Sequence, residues 1–331
     1  MKLLTRIIKL FLLFIFLTFI YKQLNPYLAQ SISLLTNVSI LRLLPFIFLS
    51  SLPYLIAGIC FTLLARHYHS FSFGDGIKVA YLTMFTENTL GSFPAKIVPL
   101  IWLHQNHFTL HESLTIVVYD FLNYQIPTFI FSLLPFFPGN SFFFITYPLE
   151  IYPALLGACF DFFPLLLLII LLSSIKLPSF ILTFYHHFKQ RLPLSSLTFN
   201  KIAIHKYSDI NIILLLLNII RLLIRNALPL FSMITLQINI SSNQIITLWL
   251  ASIFLELLLS IIPFAGKHGV SESCFIIIYT PFLNKPNAIG AMLLWRLCFY
   301  YLNTLLGAIT FLCSKHVSFH EIIHIKNYSK L

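Results

Sequence analysis

Charge is what this sequence has least of. Only 9% of the 331 residues are Asp, Glu, Lys or Arg, against roughly a quarter in a soluble domain. With 58% hydrophobic residues and a mean hydropathy of +0.89, no polar coat is available to face water. The solvent this composition suits is a bilayer. Acids are scarcer still. The ten carboxylates never fall within two positions of one another, which argues against the close acidic pair of a metal-dependent transferase acting on a polyprenyl phosphate. Glycine is rare, at 10 residues, and no Gly-rich phosphate loop occurs, so ATP-driven pumping by this chain is not expected. The five cysteines (60, 159, 274, 298, 313) lie in or beside apolar runs without metal or disulfide spacing and read as reduced filler. Ser271 and Ser273 flank Glu272, but nothing supplies a histidine–carboxylate relay for a nucleophile.

What remains is apolar runs punctuated by basic loops. Lys and Arg number 21 against 10 acids, a net charge of +11. The basic residues flank apolar runs, which is the positive-inside pattern and suits anionic lipid better than nucleic acid. Lys2, Arg6 and Lys9 precede an apolar run to Tyr21 with no small-x-small cleavage site, so an uncleaved first helix is expected. Further spans are expected at about 43–64, 115–137, 151–174, 210–236, 244–263 and 287–313. The fold class is therefore an all-α polytopic membrane protein of about seven to eight transmembrane helices, a single integral membrane domain over 1–331. With the N-terminus cytoplasmic, the basic stretch 176–206 is also cytoplasmic. Seven crossings leave the basic tail outside. An eighth at 273–284 brings it inside, but that segment is short for a crossing.

Two segments break the apolar pattern. Residues 87–96 carry Glu87, Asn88, Gly91, Pro94 and Lys96, and 263–272 carry Pro263, Gly266, Gly269 and Glu272. Interrupted segments in the two halves of a membrane chain point to a midplane binding site. Two unrelated interfacial loops are the plainer alternative. Re-entrant segments are expected over about 76–101 and 263–284. Asn218, Arg221 and Arg225 share one helix face at spacings of three and four, and Arg225 lies roughly 24 Å along the helix from Asp209. Arginines at membrane depth need partners. The choice is between a phosphate held by the guanidinium fork and an ion pair with Glu256 or Asp120. Arg296, in the last span, poses the same question. His104, His107 and His111, and again His316, His320 and His324, fall at helical spacing. No carboxylate or cysteine completes a metal site there, so neither metal nor cofactor is expected.

These residues resemble a known family. Pro263-x-x-Gly266-x-x-Gly269-Val-x-Glu272, followed by Ala288, Ala291 and Arg296 in an apolar span, is similar to the signature of the membrane region of lysylphosphatidylglycerol synthases. Ser72-Phe-Gly-Asp-Gly, Asn88-x-x-Gly91-x-x-Pro94 and Asp120 resemble its N-terminal half. The resemblance spans about residues 5–313. It departs at Phe264-Ala265 and Lys267-His268, and Lys96 stands where an arginine is usual. The soluble aminoacyl-transfer domain of the full-length synthases has no counterpart in this sequence. The resemblance implies a flippase-like region in a bacterial inner membrane, moving an anionic lipid or lipid-linked substrate between leaflets. The resemblance adds Asn88, Lys96, Asp120, Gly266, Gly269, Glu272 and Arg296 to the Arg221, Arg225 and Glu256 that charge inside apolar runs singles out, and these ten are the candidate site residues. The alternative is a non-catalytic partner of an envelope glycolipid or phospholipid biosynthesis enzyme.

Overall fold

The structure, a computed structural model, describes residues 26–137, 143, 146–148, 150–159, 208–260 and 269–314. The expected first span, most of the span at 151–174, the basic stretch 176–206, Gly266 and His316, His320 and His324 lie outside these residues. Every regular element among the described residues is helical. Among the described residues, five helices are long and apolar enough to cross a membrane: Ile40–Ala65, Leu110–Phe136, Ile212–Thr235, Ser242–Ser260 and Lys285–Cys313.

In chain order the helices are α1 (described over 26–36), α2 (Ile40–Ala65), α3 (Phe73–Leu90), α4 (Ser92–Ala95), α5 (Val98–Gln105) and α6 (Leu110–Leu133). There follow α7 (described over 151–159), α8 (Ser208–Thr235), α9 (Ser242–Ser260), α10 (Val270–Tyr279), α11 (Lys285–Trp295) and α12 (Asn303–Cys313). A π-helical segment, Arg296–Leu302, joins α11 to α12.

Local chemistry sets the boundaries. Ser72 caps α3 by accepting from the Asp75 amide at 3.0 Å. Gly91 ends it at φ 101, a conformation open to glycine and strained for other residues. The chain restarts at once in α4 and α5, so the interrupted segment 87–96 is a helix, a glycine break and a helix restart. Thr109 and Glu112 form a reciprocal capping box that starts α6. That start, and His107 at φ 66, corrects one expectation: His104, His107 and His111 lie on two helices and the turn between them, not on one face. α10 has 10 residues, about 15 Å, half the hydrocarbon thickness. By length it does not cross alone.

Two packed clusters form the interior. One gathers α2, α3, α5 and α6 around Leu64, Leu82, Trp102 and Ile116. The other gathers α8, α9, α10 and α11 around Phe254, Phe275, Tyr279 and Trp295. Close backbone approaches at small residues tie helices together, as between membrane helices generally. A Cβ on Gly58 of α2 would stand 2.7 Å from the Ile77 Cα of α3, and one on Gly307 of α12 2.7 Å from the Tyr81 carbonyl oxygen. The outward faces are apolar: Leu41, Ile246 and Leu312 are more than two-thirds exposed.

Candidate functional site: a charged cavity between the two halves

Between the two clusters lies a cavity of about 310 Å³. Its wall is assembled from both interrupted regions and from the long helices. α3 contributes Glu87 and Asn88, and the α4–α5 link contributes Lys96. α6 contributes Asp120 and Tyr124, one helical turn apart. Arg221 and Arg225 come from α8, Glu256 from α9, Ser271 from α10, and Arg296 and Tyr300 from the π segment. Seven of the ten expected site residues thus share one wall: Asn88, Lys96, Asp120, Arg221, Arg225, Glu256 and Arg296. Glu272 reaches it through Arg296, whose Nε donates to the Glu272 carboxylate at 2.9 Å. Gly269, at φ 78, is the N-cap of α10 and positions Ser271 and Glu272 without lining the cavity. Gly266 lies outside the described residues.

The charges fall into two groups. Two cations are already matched by carboxylates. Arg225 Nη2 donates to Glu256 at 2.6 Å and its Nη1 to the Tyr124 hydroxyl at 2.7 Å. Arg296 pairs with Glu272 and lies against the rings of Tyr300 and Trp295, 4.7 and 5.3 Å from their centroids. Of the two partners the sequence left open, Arg225 has the ion pair with Glu256, and Arg296 is paired with Glu272.

Arg221, Lys96 and Asp120 form the second group. The Arg221 guanidinium lies 4.3 Å from the Tyr124 ring centroid, and the Lys96 ammonium 5.6 Å from that of Phe121. Neither makes a hydrogen bond to another described residue. The Asp120 Oδ1 is buried and also lacks a hydrogen-bond partner among the described residues. Tyr124 organises the arginines, since it carries Arg221 on its face and accepts from Arg225 at its hydroxyl.

A second set of bonds holds the π segment in place. Asn303, fully buried, directs its amide nitrogen at the carbonyls of Cys298 and Phe299, at 2.9 and 3.0 Å. Those carbonyls belong to the widened turns that follow Arg296. Asn88 donates to Thr304 at 2.8 Å and its carbonyl accepts from the Tyr300 hydroxyl at 3.4 Å, which ties the end of α3 to the same segment. Sequence reasoning missed Glu87, Tyr124 and Tyr300. Glu87 adjoins Asn88 in the interrupted segment, and Tyr124 follows Asp120 at helical spacing, so both signals were present. Nothing in the local sequence marks Tyr300. No group of three or more metal-ligating side chains occurs among the described residues.

A family model described as the lysylphosphatidylglycerol synthase TM region matches residues 6–307. The chain belongs to this family. No curated protein matches it, and no solved structure does. The lysylphosphatidylglycerol synthase TM region and the five long apolar helices together make it a multi-pass membrane protein linked to lipid biosynthesis or translocation. The match covers both interrupted segments and every charged residue of the cavity wall.

Proposed function

We propose that the protein carries the anionic headgroup of a phospholipid or lipid-linked substrate between bilayer leaflets through this cavity, as a transporter and not as an enzyme. The proposed setting is a bacterial plasma membrane, with the N-terminus cytoplasmic. The observation that carries the reading is the pair of cations, Arg221 and Lys96, that face one cavity without hydrogen-bond partners among the described residues. Cations at membrane depth are costly when unmatched. A phosphate would satisfy both, taking two parallel bonds from the guanidinium fork and one from the ammonium. The internal pairs Arg225–Glu256 and Arg296–Glu272 keep the remaining wall near neutral, so that a headgroup is held without being trapped.

The test compares Arg221→Lys and Arg221→Met in vesicles containing fluorescent phosphatidylglycerol. Lysine keeps the charge and loses the fork, so exchange between leaflets falls several-fold. Methionine removes both, and exchange falls to the protein-free rate. Parent-like exchange in both variants contradicts the reading and favours a membrane scaffold for an envelope-lipid enzyme, in which the cavity charges are structural.

A further inference from the structure

Arg296 lines two cavities, and its partner Glu272 lines the second of them. One is the charged cavity, which Arg296 borders together with Trp295 and Tyr300. The other, also about 310 Å³, lies on the far side of the same ion pair. Among the described residues its wall is otherwise almost wholly apolar: Leu35 of α1, Val38 of the α1–α2 link, Leu43 of α2, Met292 and Leu293 of α11, and Leu297 of the π segment. Apart from the ion pair, only the Tyr301 hydroxyl offers a polar side-chain group on that wall among the described residues. The groove reaches the outer surface, where Leu297 and Tyr301 are each more than half exposed. Arg296 thus stands between a charged chamber and an apolar groove that reaches the outer surface, with Glu272 on the groove side.

A polar chamber and an apolar groove that share a wall match a molecule whose polar and apolar parts are covalently joined. Any site for a lipid headgroup requires a seat for the adjoining chain within a few ångströms. We propose that the groove seats one acyl chain of the same lipid whose headgroup enters the charged cavity, and that the Arg296–Glu272 pair is the gate between them. This rests on the reading of the cavity as a headgroup site. The gate is placed where the α-helical pattern is interrupted. Arg296 opens a π-helical segment, and such segments recur at functional sites. The pair is only 7% and 16% exposed in its side chains. Breaking it in the absence of headgroup would leave two buried charges unmatched. A phosphate arriving at Arg296 replaces the carboxylate as acceptor, so the arriving headgroup itself lowers the cost of opening.

The experiment uses the full chain in phosphatidylglycerol vesicles with two probes. Binding of sn-glycerol 3-phosphate, which has no acyl chain, reports on the charged cavity alone. Leaflet exchange of fluorescent phosphatidylglycerol reports on cavity and groove together. Leu293→Trp and Val38→Phe fill the groove from opposite walls. The expected result for both is glycerol phosphate binding within twofold of the parent and exchange reduced at least tenfold. Glu272→Gln keeps the shape and removes the charge, and is expected to raise exchange at least threefold. Parent-like exchange in both groove variants overturns the acyl seat. If thermal stability also falls in them, the groove belongs to a segment of this chain. Loss of glycerol phosphate binding in both groove variants overturns the separation into two compartments. Slowed exchange in Glu272→Gln overturns the gate. A parent that neither binds glycerol phosphate nor exchanges lipid fails the headgroup reading itself, and the groove proposal falls with it.

Discussion

Three arginines of one residue type play three roles, decided by what each touches. Arg225 is fixed by a carboxylate and a phenol, Arg296 by a carboxylate between two rings, and Arg221 by a ring face, with the Asp120 carboxylate acting on it only through its charge. Substituting Arg225 therefore differs in kind from substituting Arg221. Arg225→Met strands Glu256 and the Tyr124 hydroxyl. A fully buried pair broken in this way costs about 3–5 kcal/mol, but these side chains are 33% and 28% exposed, so a cost of about 1–3 kcal/mol is expected. Adding Glu256→Leu removes the stranded charge and should restore most of that stability. Thermal unfolding of the detergent-solubilised proteins checks the cycle. A double variant less stable than Arg225→Met would mean that Glu256 has another essential partner. Arg221→Met breaks no hydrogen bond among the described residues and leaves Lys96 to compensate the buried Asp120 carboxylate, so it should cost less stability than Arg225→Met.

At the scale of elements, the glycines divide by mechanism. Gly58 permits the close approach of α2 and α3, where an added Cβ meets the Ile77 backbone at 2.7 Å. Gly91 has open space around it but sits at φ 101. Gly58→Val should overpack the helix pair and cost about 1–3 kcal/mol or more. Gly91→Ala should cost about 1–2 kcal/mol through backbone strain alone. A measured cost for Gly58→Val smaller than that for Gly91→Ala would show that α2 and α3 separate freely. The π segment gives a further expectation. Asn303→Leu removes the amide that meets the Cys298 and Phe299 carbonyls and should cost about 1–3 kcal/mol. It should also slow lipid exchange, because Arg296 loses its fixed position.

The long helices and the break at Gly91 were legible in the sequence, because apolar run length and glycine chemistry are local properties. The π segment was not. Residues 287–313 read as one apolar helix, and the widening depends on Asn303 packing against residues more than two hundred positions away, such as Ser50. The site was half legible. Charge inside apolar runs marked Asp120, Arg221, Arg225, Glu256 and Arg296. Which carboxylate serves which arginine is set by helix packing across 24 and 31 positions, which no local pattern carries.

For the whole molecule, the arrangement is two packed clusters with a charged cavity between them, and a family shared over residues 6–307. The proposed topology has its own check. A cysteine introduced at Ser195, in the basic stretch, should resist an impermeant thiol reagent added from the periplasmic side and react once the membrane is opened. Labelling from the periplasmic side would invert the orientation. The central claim, that the cavity holds an anionic headgroup, is tested most directly by native mass spectrometry of the purified protein offered equal phosphatidylglycerol and phosphatidylcholine. The parent should retain phosphatidylglycerol in preference to phosphatidylcholine, and Lys96→Met/Arg221→Met should lose that preference while remaining folded. Equal retention of the two lipids by the parent, or an unchanged preference in the double variant, would contradict the account.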